Sequence, residues 1–298
     1  MGTSTNPLLQ LTNHCWLIPG PTNIGIIEKA KDVYLIDSGN DKEAGRKILK
    51  LIQEKAWTLK GIINTHSNAD HIGGNHYLQQ MTNCEIWTSL GEASFINTPV
   101  IESSFLWGGY PFKELQTKFF EAKPSRVTRI IDCNTQEDTD WQFIPLAGHF
   151  FDQIGVLTGE KVFYMGDSIF GEAILEKYKI PYIYNVNAFK NSLETIKTID
   201  AKYYVPSHGE VQTTIGALAE INIQKANDIE EKLMETIHEK KTFEDILQEM
   251  SIQYGIQLNF GQYALVGNTV RSFLSYLYNE GKAKYDFKDN KMYWQRLV

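Results

Sequence analysis

Histidine and aspartate side chains follow several predicted strands of this chain, at the points where those strands end. They are His66, Asp70, His71, His149, Asp167 and His208. Imidazole nitrogens and carboxylate oxygens suit a borderline divalent ion such as zinc. Because ligands from several strand ends can meet at one edge of a sheet, the pattern predicts a shared metal site. Glycines beside these residues, as in Gly148-His149 and Gly166-Asp167, relieve crowding where the chain turns near a ligand.

The elements that must position these side chains alternate between strand-like and helix-like patterns. Residues 33–36 are β-rich and end at the turn signal Asp37-Ser38-Gly39, and apolar residues then recur every three or four positions over 41–57. A strand over 59–65 leads into the first histidines, and a helix follows over about 72–80. Later β-like runs cover 127–131, 141–145, 154–158, 162–165 and 203–206. This order predicts an α/β protein with a sheeted core and helices on its faces.

After about residue 213 the pattern becomes helical. Helices are predicted over 215–239, 242–250 and 264–278, followed by two short strands around the turn Asp289-Asn290. Three helices and a hairpin are typical of a winged helix. We therefore predict two domains, covering residues 1–213 and 214–298.

Residues 98–123 form an aromatic stretch with no regular pattern, which contains Trp107, Tyr110 and Phe112. A long irregular insertion is more often a binding loop or lid than a spacer, and apolar side chains commonly line ligand pockets. We predict a substrate loop that brings at least one of these three side chains within reach of the metal site. A loop that only caps the core is the alternative.

Composition restricts the class of partner and the compartment. With 29 basic and 36 acidic residues the net charge is −7, which argues against a protein that coats nucleic acid or binds anionic membranes. Residues 270–298 nevertheless carry six basic against three acidic side chains, so a nucleic-acid contact stays open beside a homodimer contact or a solvated face. Three scattered cysteines, the absence of a signal-peptide pattern and the lack of a membrane-length apolar run predict a cytoplasmic protein.

Taken together, these motifs resemble the metallo-β-lactamase fold hydrolases, whose pattern is HxHxDH, then GH, GD and a late GH or SHG, each after a strand. The resemblance covers about residues 12–213. It implies an αββα sandwich, followed here by a small helical, winged-helix-like domain. By position it makes His66 and His149 ligands of a first metal ion. Asp70, His71 and His208 match the ligands of a second ion, and Asp167 the carboxylate that bridges both.

One position departs from that family's signature, because Asn68 stands where its second histidine is expected, giving HxNxDH. An amide oxygen is a weaker ligand for zinc than imidazole, although hard cations accept it. Three interpretations stay open. The protein holds one ion at the second site, or two ions with Asn68 as a weak ligand of the first, or it is a non-catalytic metal-binding relative.

The resemblance implies a metal-dependent hydrolase that acts on a small ester, thioester or phosphoester. A divalent ion lowers the pKa of bound water from ~15.7 toward ~7, so that a hydroxide nucleophile forms near neutral pH. Zn²⁺ is the expected ion, in one or two copies, with Fe or Mn as alternatives. Asp70 is expected to orient the attacking water, and with only one ion bound it is also the candidate general base. The alternative enzyme is a nuclease or phosphodiesterase that holds its substrate with the basic C-terminal hairpin.

Overall fold

Two β-sheets form the centre of the fold in the computed structural model, which describes residues 8–135 and 140–297. In these residues the first sheet has seven strands that lie side by side in chain order. Pairing is antiparallel from the first strand to the fourth and parallel from the fourth to the seventh. The strands are β1 (Leu9–Gln10), β2 (Cys15–Ile18), β3 (Ile24–Lys29), β4 (Asp32–Ile36), β5 (Thr58–Ile63), β6 (Glu85–Ser89) and β7 (Arg129–Ile131).

The second sheet, again counted over the described residues, has four strands in the order β11-β10-β9-β8. They are β8 (Gln142–Pro145), β9 (Ile154–Leu157), β10 (Val162–Tyr164) and β11 (Tyr203–Val205). Since β8 and β10 both run antiparallel to β9, and β11 runs parallel to β10, three of these strands point the same way. Their carboxyl ends therefore meet at one edge of the sheet.

Helices connect the strands of the two sheets. They are α1 (Lys42–Glu54), α2 (Ala69–Ile72), α3 (Asn75–Thr82), α4 (Leu90–Asn97), α5 (Val100–Trp107), α6 (Glu172–Tyr178) and α7 (Val186–Thr198). The Asp41 side chain caps α1 by accepting a hydrogen bond from the backbone of Ala44. Ile48 and Ile52 then share a buried cluster with Leu35 of the first sheet. The amphipathic helix predicted over 41–57 is thus confirmed, with its apolar side on the sheet.

The main core lies between the two sheets. Ile63 and Trp87 of the first sheet are buried with Val156 and Tyr164 of the second. On the far side of the second sheet, Phe163 is completely buried in the apolar cluster that includes α7. The layers follow the order helix, sheet, sheet, helix, which confirms the predicted αββα sandwich.

The C-terminal part has the predicted order of elements. It contains α8 (Gly216–Thr236), α9 (Phe243–Gln253), α10 (Phe260–Asn279), β12 (Ala283–Lys288) and β13 (Lys291–Arg296). Asp289 and Asn290 form the hairpin turn with positive φ angles of 52° and 59°, as a two-residue turn requires. Val270 and Phe273 belong to the same buried cluster as Phe163. The C-terminal helices therefore pack against the helical layer on the outer face of the second sheet. A domain boundary at residue 213 stays a prediction.

The segment predicted to be irregular over 98–123 contains a helix, α5, and a short 3₁₀ turn at Lys113–Leu115. Helix α5 starts next to Pro99, and it buries Glu102 and Ser103 together with Leu106. Because polar and apolar side chains are buried side by side, α5 shows no amphipathic pattern in the sequence. Of the helices in the described residues, none is long and apolar enough to cross a membrane.

Phe163 and Phe287 provide a test of where the core lies. Phe163 is fully buried, whereas the side chain of Phe287 on the hairpin is 68% exposed. We expect Phe163→Ala to lower the free energy of unfolding by about 3–5 kcal/mol, because it removes a buried ring and leaves a cavity. Phe287→Ala should change it by less than about 1 kcal/mol. Urea unfolding followed by circular dichroism measures both, and equal losses would contradict this description of the core.

Candidate metal centre

The six predicted ligands lie together where the carboxyl ends of strands from both sheets meet. His66, Asp70 and His71 follow β5, whereas His149, Asp167 and His208 follow β8, β10 and β11. The two sheets are joined at this edge by a hydrogen bond from the backbone of Ile154 to the carbonyl of Thr65, 2.9 Å long. Residues from distant parts of the sequence thereby share one site.

Two glycines make this convergence sterically feasible. Gly166 has a φ of +59°, and a Cβ atom there would lie 2.8 Å from the Thr65 hydroxyl. Gly148 has a φ of +132°, and its Cβ would lie 2.2 Å from the backbone nitrogen of Phe189. Both the backbone angle and the space therefore require glycine next to His149 and Asp167.

Two overlapping groups of ligand atoms share His71. One nitrogen or oxygen atom from each of His66, His71 and Asp167 lies within 4.8 Å of the others, and the same is true of Asp70, His71 and His208. In the second group, His208 Nε2 lies 3.2 Å from an oxygen of Asp70, and it is also 3.3 Å from an oxygen of Asp167 in the first group. His149 Nε2 is 3.6 Å from Asp167, which places it beside the first group.

Each of the four histidines directs its Nδ1 atom away from the site. His71 donates to Asp37 over 2.8 Å, His149 to the Tyr182 carbonyl over 2.9 Å and His208 to the Pro21 carbonyl over 2.6 Å. The Nδ1 atom of His66 lies 3.1 Å from the Thr65 hydroxyl, which itself donates to Asp37. All four Nε2 atoms therefore face the centre, as those of metal-binding histidines do.

Three buried polar atoms in the centre have no hydrogen-bond partner: His66 Nε2, His71 Nε2 and Asp167 Oδ1. An unpaired buried polar group is costly, and native structures avoid it. A divalent cation would accept lone pairs from all three, so the donor set fits the metal that the sequence predicted.

The charges of the centre perturb its pKa values strongly. Burial would lower the pKa of His71, but Asp167, Asp70 and Asp37 raise it well above its usual value. Burial likewise opposes protonation of His208, and Asp167 and Asp70 raise its pKa to about 12. Without a metal ion, protons on His71 and His208 compensate the carboxylates. A bound cation would take over that role.

Asn68 lies inside the centre, at the place of the missing histidine. Its Oδ1 atom is 2.9 Å from His149 Nε2, and its Nδ2 donates to Glu102 Oε1 over 2.6 Å. Burial lowers the pKa of His149, and neutral imidazole carries a single N–H, which Nδ1 gives to Tyr182. The Nε2 lone pair then faces the amide oxygen, an arrangement that a cation next to both atoms would stabilise.

Further residues brace the loops that carry the ligands. Glu92 on α4 is buried and accepts hydrogen bonds from the backbone and hydroxyl of Ser67. The loop between β2 and β3 contributes Thr22, whose hydroxyl donates to Asp70 over 3.1 Å, and Pro21, whose carbonyl receives the His208 proton. The ligand loops are thus held by the two sheets and by helices at once.

The predicted substrate loop lies partly in solvent. Trp107 is 44% and Tyr110 83% exposed. The ring of Phe112 lies 4.8 Å from that of Trp107 and 5.2 Å from that of Phe260 on α10. Phe112 thus packs toward the C-terminal helix α10. A role of Trp107, Tyr110 and Phe112 in substrate binding stays a prediction.

Sequence reasoning missed the carboxylates behind the ligands. It treats Asp37 only as part of a turn, although an acidic residue directly after a β-rich run is the same signal that singles out Asp167. Glu102 sits among apolar and small residues in Val100–Trp107. A lone carboxylate in such a stretch is a usable signal, because burying it requires a partner.

Comparison with solved structures finds proteins that have a similar fold. A metallo-beta-lactamase family protein from Thermus thermophilus superposes with a TM-score of 0.77 at 18% identity, over 96% of this chain and 100% of that one. A beta-lactamase domain protein from Burkholderia ambifaria gives 0.74 at 15% identity, over 100% of this chain and 95% of that one. At such identities the similarity shows the fold.

Curated relatives match over shorter stretches. A hydroxyacylglutathione hydrolase of Rhodopseudomonas palustris (strain BisB18) is 49% identical over 39 residues, 13% of this chain and 15% of that protein. The hydroxyacylglutathione hydrolase GloC of Haemophilus influenzae is 25% identical over 146 residues, 49% of this chain and 65% of that protein. The matches thus span less than two thirds of either relative.

The family model of the metallo-beta-lactamase superfamily matches residues 17–208. That stretch is more than half of the chain and contains all six ligand positions. The fold, the ligand order and this match agree, and the protein belongs to the metallo-beta-lactamase superfamily.

Proposed function

We propose that this protein is a metal-dependent hydrolase that cleaves a small thioester or related ester, with Zn²⁺ as its ion. The observation that carries the proposal is the convergence of four inward-facing Nε2 atoms on the buried carboxylate of Asp167. Such a donor set serves metal-assisted hydrolysis in this superfamily's fold. The bound ion would supply a water of lowered pKa and would polarise the substrate carbonyl.

The chain itself supplies ligand geometry and a proton acceptor. His66, His149 and Asp167 would hold a first ion, with Asn68 as a weaker ligand, and Asp70, His71 and His208 would hold a second. The Asp70 side chain is 40% exposed, whereas that of Asp167 is 7% exposed. Asp70 is therefore open to water, and it is our candidate to orient the attacking water and, when a single ion is bound, to accept its proton.

Hydrolysis at this centre would join the water oxygen to the acyl carbon and break the bond to the leaving group. A thiolate leaving group is stabilised better than an alkoxide, so a thioester makes the smallest demand on an acid. The hydroxyacylglutathione hydrolases among the relatives support this substrate class.

Metal binding tests the ligand assignment directly. We expect His208→Ala to weaken binding of one Zn²⁺ ion at least about tenfold, because it removes an imidazole ligand. The matched variant is His238→Ala, since the side chain of His238 is half exposed, 52%, and donates to a backbone carbonyl outside the centre. Elemental analysis and competition with a chromophoric chelator measure the stoichiometry and affinity. Equal binding by both variants would refute the assignment.

Zinc binding should release protons. His208, whose pKa is raised to about 12, and His71 are protonated at neutral pH when no metal is present. A ligand nitrogen must lose its proton to bind, so the affinity should rise with pH, about tenfold per unit for each proton released. Titration calorimetry between pH 6 and 8, in buffers of different ionisation enthalpy, counts the protons. Affinity independent of pH would contradict protonated ligands.

Catalysis is tested with three substrates: a hydroxyacyl thioester of glutathione, p-nitrophenyl acetate and bis-p-nitrophenyl phosphate. We expect the largest kcat/KM with the thioester, and a loss of at least about 100-fold in His71→Ala, since this variant lacks a ligand of the second ion that also lies within 4.8 Å of His66 and Asp167. His238→Ala should retain native kcat/KM. Preferential cleavage of the phosphodiester would favour the nuclease or phosphodiesterase alternative, and inactivity of zinc-loaded protein on all three would favour a non-catalytic role.

A further inference from the structure

Glu102 on α5 holds the amide group of Asn68 in one orientation. Its Oε1 atom accepts a hydrogen bond from Asn68 Nδ2 over 2.6 Å, and the residue is only 4% exposed. A carboxyl oxygen offers this acceptor whether or not the other oxygen is protonated. The contact therefore turns the opposite end of the amide, Oδ1, toward His149 Nε2 and the centre.

Asn68 Oδ1 then joins the donors of the first metal position, since it lies 2.9 Å from His149 Nε2, which is itself 3.6 Å from Asp167. His66 belongs to one ligand group with Asp167. An amide that is free to rotate presents its NH₂ group as readily as its oxygen, and an NH₂ group cannot bind a cation. Whether Asn68 can bind a cation through Oδ1 thus depends on which group holds its Nδ2 atom.

We propose that Glu102 is a positioning residue that makes Asn68 a ligand of the first metal ion. This inference rests on the proposed function, because it assumes that a divalent ion binds at the centre. It explains how a chain without the second signature histidine keeps a first site. A buried carboxyl group from a different helix compensates for the replacement of imidazole by an amide.

The fold supports this role, because α5 is fixed from two sides. Phe105, one turn after Glu102, packs against Phe150 and Phe151 next to His149, with ring centroids 6.3 and 5.0 Å apart. At the end of α5, the carbonyl of Leu106 accepts a hydrogen bond of 2.7 Å from Asn268 on α10. Glu102 is thereby presented to Asn68 by a braced helix.

The test is a stepwise Co²⁺ titration of the metal-free, full-length protein, followed by visible absorption and by calorimetry. Visible absorption reports the ligand set of each ion, and calorimetry reports its affinity. The variants are Glu102→Leu, which removes the acceptor, and Glu102→Gln, which keeps an oxygen acceptor without the charge. Asn68→Ala and the double variant Glu102→Leu/Asn68→Ala complete a thermodynamic cycle.

We expect Glu102→Leu to weaken the first-site ion at least about tenfold, as loss of an outer partner of a ligand does. The ion held by Asp70, His71 and His208 should change by less than about twofold, which also shows that the variant is folded. Glu102→Gln should recover most of the affinity. The double variant should bind the first ion no more weakly than Asn68→Ala alone, because without the amide Glu102 has nothing to orient.

Several results would overturn the inference. They are an unchanged first-site affinity in Glu102→Leu, an additive loss in the double variant, or a Glu102→Gln variant as weak as Glu102→Leu. If Glu102→Leu does not fold, Asn68→Ala decides on its own, because first-site affinity that stays equal or rises shows that Asn68 is not a ligand. Failure of the proposed function looks different, since the native protein would then bind no Co²⁺ at either site.

Discussion

Buried imidazole and carboxylate groups that face one another at the junction of two sheets are the constraint on which this structure depends. His66 and His71 are 0% exposed and Asp167 is 5% exposed. A buried carboxylate without a partner is costly, and so is a buried lone pair without a donor. Protons on His71 and His208 satisfy the carboxylates only in part, because Asp167 Oδ1 lies 3.4 Å from His71 Nε2 without forming a hydrogen bond. The Nε2 atom of His66 also has no hydrogen-bond partner. A divalent ion satisfies both kinds of group at once, which is why the site is best understood as a metal centre.

Hydrogen bonds from different parts of the chain orient the ligands on the side that faces away from the centre. Asp37, which follows β4, orients His71 directly, and through the Thr65 hydroxyl it also supports His66. Backbone carbonyls orient the two later histidines, and Glu102 orients Asn68. Such outer contacts set the tautomer and direction of each ligand. The centre therefore requires both sheets to be packed together, and it cannot form from the β5 loop alone.

The C-terminal helices take part in this support although they contribute none of the six predicted ligands. On α10, the Thr269 hydroxyl accepts a hydrogen bond from the backbone of Ile183 and donates to the carbonyl of Pro181. Those residues flank Tyr182, whose carbonyl orients His149. Asn268 braces the end of α5 in the same way. Truncating the chain after residue 213 would therefore remove contacts that hold both Glu102 and His149 in place.

The sequence alone determined the order of the main strands and helices and singled out the six predicted ligand residues, and its resemblance to a known family implied the αββα layers. It could do so because strand ends, glycines and histidines carry local signals, and because an amphipathic helix such as α1 shows its buried side in its spacing. It did not reveal α5, since the buried face of that helix carries polar as well as apolar side chains. It also could not say what Asn68 does, because an amide is a ligand or a bystander according to which of its ends faces the site. That choice is made by Glu102, which is 34 residues away in the chain. Only the packing of α5 against the ligand loops brings it within hydrogen-bond distance, since a contact between distant segments leaves no periodic pattern in the sequence.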